Sequence, residues 1–86
     1  MVDAPELDPG LLETLFVDGL EMPFMDFGPT EPTLRLRLEG EEYTFSRSYP
    51  RRGFGGVLGK DARPLLNEGK KLLVARFGDR HYLFLR

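Results

Sequence analysis

Residues 70–86 constrain the fold more than any other part of this chain. Two apolar runs flank Gly78-Asp79, and a glycine at the first central position favours a two-residue type II′ hairpin turn. Such a turn pairs residues whose numbers sum to 157, which assigns each side chain to one of two faces. One face holds Leu72, Val74, Leu83 and Leu85, and the other holds Leu73, Ala75, Phe77, Tyr82 and Phe84. Because both faces are apolar, the hairpin must be covered on both sides.

Residues 20–27 are the first source of that cover, because five of these eight residues are Leu, Met or Phe. Pro23 blocks pairing as a central strand, so we predict an extended apolar segment followed by a linker over residues 28–32. Its Met and Phe side chains are expected to cover the core of the chain, and the alternative is a peptide that binds a partner. A second copy would also cover the hairpin, so a homodimer is predicted.

A further hairpin is indicated by residues 33–49. Side chains alternate strictly along residues 33–39, with three leucines on one face and Arg35, Arg37 and Glu39 on the other. After a turn, the chain returns as a strand with Tyr43 and Phe45 on its core face. The pattern is typical of a hairpin with one charged, hydrated face.

A helix is predicted over residues 8–19. Asp8 suits the N-cap and Pro9 the first helical position, and four apolar residues then follow helical spacing. A strand over residues 14–17 is the alternative.

The segment between the two hairpins is predicted to be a loop and then a short helix. Four glycines disfavour regular structure over residues 50–60. Asp61 is the expected N-cap of a helix over residues 61–69, with Pro64 in its first turn and Gly69 as its end. These elements together predict one α+β domain, residues 1–86, built on a small, mainly antiparallel four-stranded sheet from two hairpins with one or two short helices.

Charge divides the chain into an acidic segment, residues 1–32, and a basic body, residues 33–86. Residues 1–34 contain eight acids and no Lys or Arg, whereas residues 35–86 contain all twelve bases and six acids. The two halves either neutralise each other by packing, or the basic surface meets a polyanion. The net charge of −2 and the pI of about 5.3 argue against strong general polyanion binding.

Several classes of protein are disfavoured by composition. The chain has no cysteine and one histidine, His81, so we predict no disulfide, no metal site and no cofactor. Ser46 and Ser48 have only His81 as a histidine base, so no catalytic residues are assigned and no enzyme is predicted. Without a long apolar run or a basic leader, a cytoplasmic protein without a membrane contact is expected. The lack of Gln and the single Asn are compatible with a heat-adapted source or a GC-rich genome.

The loop between the hairpins is the best candidate for a binding site. Neither the P-loop nor the dinucleotide pattern fits its glycines. Arginine forks nevertheless suit phosphate oxygens, glycines permit close approach, and aromatic side chains stack on bases. Phosphate or nucleic-acid contact is therefore predicted for Arg47, Arg51, Arg52, Phe54, Lys60 and Arg63. A purely structural connection is the alternative.

These observations predict a small non-enzymatic binding module that contacts nucleic acid or a phosphate-bearing ligand through residues 47–63. The alternative is a protein-interaction or structural homodimer domain. Its working surface would be the apolar hairpin of residues 70–86 together with residues 22–27.

Overall fold

A mixed sheet of seven strands, curled into a half-barrel, and one α-helix make up the computed structural model. It describes residues 5–30 and 33–86, and at Phe54 the backbone alone. The strands are β1 (Glu6–Leu7), β2 (Glu13–Val17), β3 (Leu20–Asp26), β4 (Arg35–Leu38), β5 (Glu41–Pro50), β6 (Leu72–Phe77) and β7 (Arg80–Leu85); the helix is α1 (Phe54–Asn67), and Pro9–Leu11 form a 3₁₀ turn. The predicted four-stranded antiparallel sheet with one or two helices is therefore wrong.

The order across the sheet is β1-β4-β5-β7-β6-β3-β2. Two pairs are parallel, β1 with β4 and β3 with β6, and the remaining pairs are antiparallel. Since β5 and β6 both run antiparallel to β7, they run parallel to each other, and α1 is the crossover that connects them. The two parallel pairs, β1 with β4 and β3 with β6, join segments that are distant in sequence, and local sequence patterns do not reveal such pairing.

The hairpin of β6 and β7 has the predicted register, from Leu72 opposite Leu85 to Phe77 opposite Arg80. Gly78 adopts a φ of +60°, as the first central position of a type II′ turn requires. The hairpin of β4 and β5 is also confirmed, with Tyr43 buried opposite Leu36. Leu34, however, precedes β4 and is 70% exposed, so it does not join the core.

Both faces of β6 and β7 are covered by the chain itself. One face packs in a cluster with residues of β1, β3, β4 and β5, and the other packs beneath α1. The Met and Phe residues of β3 contribute to both clusters, which confirms their predicted role as cover. β3 is a paired strand rather than an unpaired segment. With its apolar side chains buried or half-buried, the β6–β7 hairpin presents no apolar face that a second copy would have to cover.

The predicted helix over residues 8–19 is wrong, and the alternative strand is present. Asp8 does cap a helical turn, because its Oδ1 accepts the Gly10 N–H at 2.9 Å, but that turn ends at Leu11. The chain then enters β2, where Leu15 and Val17 face the same way and pack with the cluster beneath α1. Pairing with β3 therefore overrides the local helical spacing.

The helix α1 runs through much of the segment that was predicted to be a loop. Leu58, Ala62 and Leu65 lie on one side of it and pack against the sheet, which stabilises a helix that contains three glycines and Pro64. One of these glycines has a packing reason, because a Cβ at Gly59 would lie 3.0 Å from the Cβ of Asp18. Glycine thus lets α1 approach the β2–β3 turn closely.

The predicted end of the helix at Gly69 is confirmed by its capping geometry. Gly69 has a φ of +84°, and its N–H donates to the Leu66 carbonyl at 3.0 Å. The predicted start is wrong, because Asp61 and Pro64 lie inside α1. The helix instead begins after Gly53, which has a φ of +73°.

Candidate functional site

The six residues predicted to contact phosphate lie at separate places. Arg51 and Arg52 line one groove at the end of β5, whereas Arg47 and Lys60 line a second groove between β5 and α1. Arg63 lies apart, donating from its Nη2 to the Asp18 carbonyl at 2.9 Å and pairing with the Asp18 carboxylate at 3.6 Å. The side chain of Phe54 lies outside the described part of the chain.

The groove at the end of β5 has a volume of about 620 Å³ and is here named the arginine groove. It is lined by Pro50, Arg51, Arg52, Asp79 and Arg80. Pairing between β5 and β7 assembles it, because Pro50 lies opposite Arg80. The Arg51 N–H donates to the Asp79 carbonyl at 3.0 Å, and Arg80 Nη2 donates to Ser48 Oγ at 3.0 Å. Backbone pairing therefore holds Arg51 and Arg80 beside one concave surface, which the adjacent Arg52 also lines.

The charge of the arginine groove is not neutralised within the described residues. Among the described residues, six of the chain's twelve Lys and Arg side chains form ion pairs with carboxylates. Arg51, Arg52 and Arg80 are not among these six. The lining residues comprise three guanidinium groups and one carboxylate, that of Asp79. An anion bound in the groove would supply the missing negative charge.

His81 lies buried next to this groove, on the helix side of β7. Burial lowers the pKa of His81, and the positive charges of Arg76 and Arg51 lower it further. The imidazole is therefore neutral at pH 7. It packs near the ring of Phe24, at 6.1 Å between centroids.

A β-bulge in β5 explains why Arg47 is not part of the arginine groove. The register shifts between Phe45 and Arg47. Odd-numbered residues of β5 therefore face away from α1 before the bulge and towards α1 after it. Arg47 and Tyr49 are thereby directed towards the helix. Asp61 Oδ2 accepts from Arg47 Nη1 at 2.6 Å and from the Tyr49 hydroxyl at 2.7 Å.

These contacts change the titration of all three groups. Hydrogen bonds from Tyr49 and then Arg47 lower the pKa of Asp61, and the bond to Asp61 raises the pKa of Arg47. Burial, followed by the bond to Asp61, raises the pKa of Tyr49. Arg47 is consequently engaged in holding α1 to β5, and Lys60 is the cation of the second groove without an ion pair in the described residues.

Replacing Asp61 with alanine is expected to lower the free energy of unfolding by about 1–2 kcal/mol at pH 7, because the buried Tyr49 hydroxyl loses its acceptor. The pKa of Asp61 is lowered in the folded state, so its stabilisation is complete above about pH 4 and is lost as the pH falls through the lowered pKa. The deficit of the variant should therefore shrink in acid. Urea unfolding from neutral pH to about pH 2 measures this.

Glu68→Ala is the matched control, because Glu68 is an exposed acid at the end of the same helix. Its effect should be small and should not follow the Asp61 profile. A deficit of Asp61→Ala that stayed constant into acid would contradict the assigned contacts.

Sequence reasoning missed Arg80. It treated the second hairpin as separate from the loop of residues 50–60, so nothing brought Arg80 near Arg51 and Arg52. The available signal was the register around Gly78-Asp79, which places Arg80 directly after the turn. The pairing of β5 with β7 was the missing information.

The described residues contain no group of three or more His, Asp or Glu side chains arranged to hold a metal ion. Within the same residues, α1 is the one α-helix, and it is not long and apolar enough to cross a membrane. Comparisons with known protein families, with curated proteins and with solved structures found no match to this chain.

Proposed function

We propose that this chain is a non-enzymatic binding module that holds a phosphate-bearing ligand in the arginine groove. The observation that carries the proposal is that Arg51, Arg52 and Arg80 line one groove without an ion-pair partner in the described residues. Guanidinium forks match the geometry of phosphate oxygens and can bind them with two parallel hydrogen bonds.

The net charge of the chain makes the groove decisive for affinity. At −2, the molecule as a whole does not attract polyanions, so attraction must come from a local concentration of positive charge. The arginine groove provides such a concentration of positive charge where β5 ends at Pro50.

Phosphate in this groove could belong to a nucleic-acid backbone or to a small phosphate compound. A single strand of nucleic acid would extend beyond the arginine groove, and Lys60 lies on the neighbouring groove that β5 also borders. Inorganic phosphate or pyrophosphate would bind within the arginine groove and would not reach Lys60. Lys60→Ala should therefore weaken binding of a nucleic acid and leave the binding of a small phosphate unchanged.

Fluorescence anisotropy with labelled single-stranded RNA and DNA of about 12 nucleotides tests the proposal, with inorganic phosphate and pyrophosphate as competitors. Three phosphate contacts predict a slope of about −2 for the logarithm of the association constant against the logarithm of salt concentration. If calorimetry shows that the small phosphates bind and anisotropy shows that the oligonucleotides do not, the ligand is a small phosphate compound. Absence of binding by both classes at low ionic strength would refute the proposal.

A further inference from the structure

The outer edge of β2 carries main-chain groups that face away from the sheet. β2 is the last strand in the order, and β3 is its one neighbour in the described residues. A two-residue turn at Asp18-Gly19 makes Val17 and Leu20 a hydrogen-bonded pair, and such pairs alternate along an antiparallel ladder. The N–H and C=O groups of Thr14 and Phe16 therefore point outwards.

Pro23 supports this assignment independently. It lies opposite Thr14 and has no N–H, so that pair is one whose groups do not bond across the ladder. Proline and lysine, two residues that often protect a sheet edge, are also absent from β2 itself, whose sequence is Glu-Thr-Leu-Phe-Val. At the opposite edge, β1 consists of two residues.

The side chains beside this edge combine apolar and acidic character. Phe16 is 72% exposed and lies opposite Glu21. A groove of about 390 Å³ borders the strand and is lined by Leu12, Glu13, Thr14, Glu21, Met22 and Pro23. Neither Glu13 nor Glu21 forms an ion pair with a described residue.

We propose that the open edge of β2 accepts an extended basic segment of another protein as an added strand. The backbone of the segment would pair with the outward groups of Thr14 and Phe16, as in other cases of strand addition. Alternating side chains would place apolar groups beside Phe16 and Lys or Arg beside Glu13. The acidic character of residues 1–34, which contain no Lys or Arg, favours a basic occupant.

A second copy of the chain fits this edge less well. Antiparallel pairing of two β2 strands would bring together two copies of Glu13 and of Glu21, and neither residue has an ion pair among the described residues. Like charges collected along one seam repel each other. Opposite charge on the partner removes this conflict.

The test uses a fluorescein-labelled peptide of alternating lysine and valine, about six residues long, with an alternating glutamate and valine peptide as its control. We expect the basic peptide to bind at least about tenfold more tightly. Thr14→Pro removes one outward N–H while leaving the bonds to β3, and it should weaken binding by about tenfold or more. Thr14→Ala, the matched variant, should change affinity by less than about threefold.

Amide hydrogen exchange gives a second readout. In the free protein the amide hydrogens of Thr14 and Phe16 should exchange quickly and that of Leu15 slowly. Binding of the basic peptide should slow the exchange of the Thr14 and Phe16 amides. Failure of the basic peptide to bind, or equal binding to Thr14→Pro with an intact fold, would overturn the proposal. A wild-type dimer in sedimentation that Thr14→Pro dissociates would also overturn it, since the occupant would then be a second copy.

Discussion

Replacing Leu58 with alanine is expected to lower the free energy of unfolding by about 3 kcal/mol. Leu58 is 0% exposed and packs within the cluster beneath α1, together with Val17, Met22 and Val74. Truncation removes buried methyl groups and leaves a cavity between the helix and the sheet. Urea unfolding should show a lower midpoint with an unchanged slope.

Val57→Ala is the matched control, because Val57 is the preceding residue of α1 and is 49% exposed. Its expected effect is within about 0.5 kcal/mol, as for other surface positions. The pair tests whether the glycine-containing segment is helical in this register. Equal effects of the two substitutions would contradict the position of α1 against the sheet.

The double substitution Arg51→Ala/Arg52→Ala is expected to weaken phosphate-ligand binding by about 100-fold or more. Hydrogen bonds between charged groups contribute about 1.5–3 kcal/mol each, and each 1.4 kcal/mol corresponds to a factor of ten in affinity. Both side chains are exposed, so the melting temperature should remain near that of the wild type. Anisotropy titration at fixed low salt measures the loss.

Two further variants distinguish an effect of the arginine groove from a general effect of positive charge on binding. Lys70→Ala removes one exposed cation at the opposite end of β6, about 20 Å along that strand, and should change affinity by about twofold at most. Arg51→Lys/Arg52→Lys keeps both charges but loses the planar forks, so it should fall between the wild type and the alanine pair. Equal losses for Lys70→Ala and the double alanine variant would remove the arginine groove from the proposal.

Patterns within a single hairpin were predictable to the residue. Alternation and Gly78-Asp79 together determine every pair between β6 and β7, and alternation around residues 33–45 places Tyr43 and Phe45 on the core side of β5. The information is local because a two-residue turn defines the register of both strands that it connects.

Beyond these hairpins, predictions from local spacing were wrong where a distant element changed the preferred structure. Residues 13–17 satisfy a helical stripe as well as a strand, and pairing with β3 selects the strand. Glycines in residues 53–59 indicate a loop when considered alone, yet the segment from Phe54 is helical, and glycine at position 59 lets that helix pack closely against Asp18. The bulge near Ser46 has no signal in the alternation, although it determines which way Arg47 points.

For the candidate site, the sequence alone located a concentration of arginine and glycine between two hairpins. It determined both hairpins, the end of the helix at Gly69 and the acidic character of residues 1–34. Only the tertiary structure decided that Arg47 pairs with Asp61 and that Arg80 joins Arg51 and Arg52. The reason is that turns and alternation act between neighbours in the chain, whereas the arginine groove is formed by pairing between β5 and β7 across about 30 intervening residues.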